Sequence, residues 1–74
     1  MHADGEIWSR ALWDIRQALR AKRADTIIIE AQFDFTPDIS MPDAATTTIA
    51  TAHRYGRNAE TAVRNAFAAR GLPR

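Results

Sequence analysis

Apolar side chains recur near the start of the chain at Trp8, Ala11, Leu12, Ile15 and Leu19, with charged and amide residues between them. Steps of three, one, three and four residues return each side chain to one stripe of a 3.6-residue helix. The spacing predicts a helix over about residues 4–21. Its second half, R-Q-A-L-R-A-K-R, places Arg16, Arg20, Lys22 and Arg23 toward the C-terminal end, where positive charge complements the helix dipole. A solvated, dipole-matched helix end is the preferred reading of that basic run, with an anion-binding patch as the alternative.

The next segment, A-D-T-I-I-I-E-A-Q-F-D-F, carries two periodicities at once. Ile27, Ile29, Ala31, Phe33 and Phe35 alternate as a half-buried strand would, whereas Ile28, Ala31, Gln32 and Phe35 share a helical face. A lone strand leaves its backbone donors and acceptors unpaired, and no other segment offers a partner, so a helix over about residues 24–35 is expected. Pro37 and Pro42 break the loop that follows. Ser40, with Asp43 three residues on, reads as a cap and first-turn carboxylate for a third helix over about residues 41–55. That helix is rich in threonine, a weak helix former, and needs support through Ala45, Ile49, Ala52 and Tyr55. Gly56 is expected to close it in the left-handed conformation. Asn58 is expected to cap a fourth helix, about residues 58–70, with Ala62, Val63, Ala66 and Phe67 as its stripe. Gly71 then stops the chain, Leu72 folds back and Pro73 prevents continuation. The pattern predicts an all-α fold of four short helices, one subdomain spanning residues 1–74.

Composition narrows this picture. A chain of 74 residues buries only about 60% of its surface, and much of its 46% hydrophobic content is alanine, so the core should be thin. Cysteine is absent, which removes disulfides and thiolate metal sites. A net charge of +1 gives no long-range field for a nucleic acid. The longest run of large apolar residues, Ile27 to Ile29, is far short of the roughly 20 residues that cross a bilayer, and no membrane partner is expected.

Candidate chemistry is sparse. His2 and His53 are the two histidines, and neither lies in an H-E-x-x-H or comparable ligand spacing. His53, late in the third helix, is expected to face solvent or the terminal carbonyls. Glu6, Asp14, Asp34 and Asp38 are the carboxylates considered for acid or base work, but nothing in their spacing brings two of them to one cleft. Trp8 belongs to the first apolar stripe; Trp13, five residues on, points elsewhere and is expected to pack against another helix or a partner.

Four stretches together resemble a known family: H-A-D-G-E-I-W-S-R-A-L-W-D at residues 2–14, F-T-P at 35–37, A-T-A-H-R-Y-G at 50–56 and A-V-R-N-A-F-A-A-R-G-L at 62–72. In that order they are similar to the C-terminal helical part of fungalysin-type zinc metallopeptidases, which are thermolysin-like. The resemblance implies that His2 is the histidine that stabilises the tetrahedral oxyanion. It also implies a secreted parent enzyme, and a chain that starts within the catalytic unit. Zinc belongs to the full-length family; this chain lacks both H-E-x-x-H and the segment of the third ligand, so no cofactor is expected in it and it should be inactive alone. The implied partner is the N-terminal zinc-binding half of a peptidase, or a second copy of the chain through exposed Trp13 and Phe33. The alternative is a free-standing helical interaction module derived from that fold.

Overall fold

The computed structural model describes residues 2–72, and side chains over residues 5–72. The described residues form four α-helices: α1 (His2–Ala18), α2 (Ala21–Gln32), α3 (Met41–His53) and α4 (Arg57–Ala68). No strand occurs among the described residues, and the all-α expectation holds.

The first stripe folds as its spacing requires. Ala11 and Ile15 are fully buried, and Ile7, Trp8, Leu12 and Leu19 pack partly buried against the same core. In α2 the helical period wins over the alternating one. Ala24, Ile27, Ile28 and Ala31 are buried, while Ile29, inward in a strand, is 56% exposed. Gln32, assigned to the inner face from sequence, is exposed, and Ile27 takes the inward place instead. Helix α3 starts where the cap signal lies: the Asp43 amide donates to Ser40 Oγ at 3.2 Å. Its threonines are accommodated by returning their hydroxyls to the preceding turn. Thr48 Oγ1 donates to the Ala44 carbonyl at 2.8 Å and Thr51 Oγ1 to the Thr47 carbonyl at 3.0 Å, so two threonines are buried without unsatisfied groups.

The element ends differ from the sequence reading in ways that matter. Helix α1 stops at Ala18 rather than near residue 21, and Arg20 adopts extended backbone (φ −64°, ψ 147°) as the N-cap of α2. Gly56 does not close α3 in the left-handed helical conformation. Its φ of 108° and ψ of 166° make it the N-cap of α4, in a region that only glycine enters freely. Asn58 is therefore inside α4 and does not cap it. At the far end Gly71 has φ 76°, and the Leu72 amide donates to the Phe67 carbonyl at 2.9 Å. This glycine-terminated C-cap returns Leu72 to the core. Pro73 lies outside the described residues.

Each helix packs on its neighbour in sequence, and α4 returns to α1, which closes the ring around the core. Trp8 joins the ends of the chain: its ring stacks on Phe67 at 5.3 Å between centroids and meets the edge of Phe35 at 6.0 Å. Arg70 Nη2 donates to Asp14 Oδ2 at 2.9 Å across the α1–α4 seam, while its Nε is buried without a partner. The Cα radius of gyration is 11.0 Å, close to the ~11 Å of a compact chain this long.

Candidate functional site

His2 is the first residue of α1, and its side chain lies outside the described residues. His53 ends α3 with its ring exposed, as expected, but it meets a carboxylate rather than terminal carbonyls. Its Nδ1 lies 2.8 Å from Glu60 Oε1, and because an ionised carboxylate only accepts, Nδ1 carries the hydrogen. Arg64 Nη2 holds the other oxygen of Glu60 at 3.0 Å. The hydrogen bond from His53, followed by the one from Arg64, holds the Glu60 carboxyl below its usual pKa.

The sequence-level carboxylates do not converge. Glu6 pairs with Arg10 on its own helix at 3.7 Å, and Asp14 is held by Arg70. Asp34 shares Arg54, at 3.9 Å, with Glu30, at 3.4 Å. Glu30 also accepts from the Tyr55 hydroxyl at 2.7 Å, a bond that favours the neutral phenol and raises the Tyr55 pKa. Among the described residues no three His, Cys, Asp or Glu side chains are grouped so as to hold a metal.

Two other surfaces stand out. The first is apolar: Trp13 is 61%, Ile29 56% and Phe33 84% exposed. Ile29 in α2 and Phe33, its C-cap in helical backbone conformation, are four residues apart and share one face. The Arg16–Asp25 ion pair spans the α1–α2 seam at 3.2 Å; Trp13 lies three residues before Arg16 in α1 and Ile29 four residues after Asp25 in α2. Trp13 and Phe33 were legible from their place off the apolar stripes. Ile29 was not, because the I-I-I run does not reveal which isoleucine points outward.

The second is basic: the cations of R-Q-A-L-R-A-K-R are solvent-exposed, as expected, but the match of the run to the helix dipole is not observed. Only Arg16 lies in the last turn of α1. Arg20, Lys22 and Arg23 form the N-cap and first turn of α2, with no acidic residue in that turn. Cations there oppose the dipole they were expected to complement; each such placement is unfavourable by roughly 0.3–1 kcal/mol at low salt. Arg20 and Arg23 form walls of two hollows, of about 450 and 360 Å³. Asn58 closes the first with Leu19, and Tyr55 and Lys22 line the second. The signal that was needed is where α1 stops, and no glycine or proline marks it.

Comparison with family models, with curated proteins and with solved structures returns no match to this chain.

Proposed function

We propose that this chain is a helical docking unit that completes the cleft of a fungalysin-like zinc metalloendopeptidase and is inactive by itself. The observation behind the proposal is the division of labour in H-A-D-G-E-I-W-S-R-A-L-W-D. The stretch folds within α1. Trp8 goes into the aromatic cluster with Phe35 and Phe67, while Trp13 stays 61% exposed. A tryptophan that the core does not use, on the most distinctive stretch of the resemblance, suits a surface that receives a second body. The body assigned to it is the zinc-binding part of the peptidase. His2, at the head of α1, is the oxyanion donor of the joined enzyme, and zinc with its activated water belongs to the other part. Without that part, Trp13 and Phe33 pair two copies of the chain.

A second reading, a free-standing interaction module, draws on the closure of the core: Ile15, Ile27, Val63 and Phe67 are fully buried within this one chain. One experiment separates the two. The chain is mixed with the zinc-binding part of a fungalysin-type enzyme made without its own C-terminal helices, and casein cleavage is followed. The peptidase reading expects zinc-dependent cleavage on mixing, abolished by His2→Ala and weakened by Trp13→Ser. Silence from the mixture, when the enzyme's own helical part restores cleavage, refutes it and leaves the module.

A further inference from the structure

We propose that the end of the bundle where α1 turns into α2 is a binding site for a phosphate group, either free phosphate or a phosphate monoester with a small apolar body. Arg20, Lys22 and Arg23 supply its charge, and Asn58 adds an amide from the first turn of α4. The cations of the chain divide into those that meet a carboxylate and those that do not. Among the described residues Arg10, Arg16, Arg54, Arg64 and Arg70 each meet a carboxylate. Arg20, Lys22, Arg23 and the first residue of α4, Arg57, are absent from every such pair among the described residues. Asp25, the nearest acid in sequence, is taken up by Arg16.

Three positive charges within four residues repel one another, and the dipole of α2 adds to the repulsion. A local conflict of this kind is characteristic of a functional position, where a ligand supplies the missing counter-charge. The cations also have space in front of them. Arg20 and Arg23 stand between the two hollows, whose remaining walls include the apolar Leu19 on one side and the Tyr55 ring on the other. Planar guanidinium groups match a phosphate through paired N–H donors, and three cations suit a dianion better than a single carboxylate. Neither α2 nor α4 has a side-chain cap, so their first-turn amides reinforce the field, but the cations and the hollows define the site. With a net charge of +1, the molecule carries this charge as a local cluster and lacks the extended positive face that a nucleic acid needs.

The test titrates the full chain with inorganic phosphate, with phenyl phosphate and with sodium chloride, the two phosphates at constant ionic strength. Thermal midpoint and backbone amide shifts are read together. The site predicts a midpoint that rises and saturates with phosphate, and half-saturation by phenyl phosphate at roughly tenfold lower concentration, because its ring lies against Leu19 or Tyr55. Amide shifts should gather at the starts of α2 and α4. The double variant Arg20→Gln, Arg23→Gln should lose the phosphate-dependent rise, yet melt no lower than wild type without phosphate, because the repulsion is relieved. An equal rise with sodium chloride, shifts spread over Arg10 and Arg64 as well, or a lower midpoint of the double variant without phosphate would each overturn the proposal. A double variant that fails to fold belongs with the lower midpoint and overturns the proposal likewise, whatever the amide map of the wild-type chain shows.

Discussion

Two phenylalanines on this small fold should behave as opposites. Phe67 is fully buried, stacked on Trp8, and its carbonyl anchors Leu72 in the same core; Phe33 is 84% exposed. Phe67→Ala removes a buried ring and leaves a cavity between α1 and α4, which costs about 3–5 kcal/mol. The upper half of that range is expected, because the lost stacking on Trp8 carries a further 0.5–1.5 kcal/mol or so beyond area. A chain of 74 residues has about 4–11 kcal/mol of total stability, so the variant sits near the edge of folding. Phe33→Ala should change stability by no more than about 0.5 kcal/mol. Urea unfolding followed by far-UV circular dichroism measures both, and equal slopes against denaturant would show that the same surface is exposed in each. A Phe67→Ala loss below about 1.5 kcal/mol, or equal losses in the two variants, would refute the assignment of core and surface.

Three further expectations follow from single groups. Gly71→Ala places a side chain at φ 76° with no atom near its Cβ, so the loss should be the backbone strain alone, roughly 1–2 kcal/mol in a thermal melt, and Gly71→Asn should recover part of it. Tyr55 has a raised pKa because its neutral hydroxyl donates to Glu30; its contribution is complete below pH 10.0 and is lost as pH rises through the raised value, so wild type should weaken there more than Tyr55→Phe. Glu60 has a lowered pKa through His53 and Arg64. Its contribution is present above the ordinary carboxylate range and disappears as pH falls through the lowered value, so acid unfolding of Glu60→Gln should lack that step.

The helices were legible where the signal was local. The stripe of α1, the Ser40 cap and the Gly71 stop each follow from residues within a few positions of one another, and all three hold in the structure. What sequence could not place was decided by neighbours in space. The I-I-I run contains Ile27, Ile28 and Ile29, and only the positions of α1 and α3 determine that the third faces solvent. The α1–α2 junction illustrates the same limit. Leu19 still bonds to Ile15 at 2.8 Å, the chain turns without a glycine or proline, and the basic residues that read as one helix's end become the next helix's beginning. Two carboxylates that look available from sequence, Asp14 and Asp34, meet arginines far along the chain, Arg70 and Arg54. Gly56 was rightly singled out as a backbone position, but it opens α4.

The alanines that line the interior set an unusual rule for sequence drift. Ala11, Ala24, Ala31, Ala45, Ala52 and Ala59 are each fully buried and spread over all four helices, so each fills its place in the interior with a single methyl group. In most cores the damaging exchange trims a large residue. Here enlargement is as damaging: even valine at one of these sites must push a facing helix away, at a cost of about 1–3 kcal/mol. Descendants of this sequence can therefore change these positions only in compensating pairs, and the interior should vary less by residue size than the charged surface does by residue type.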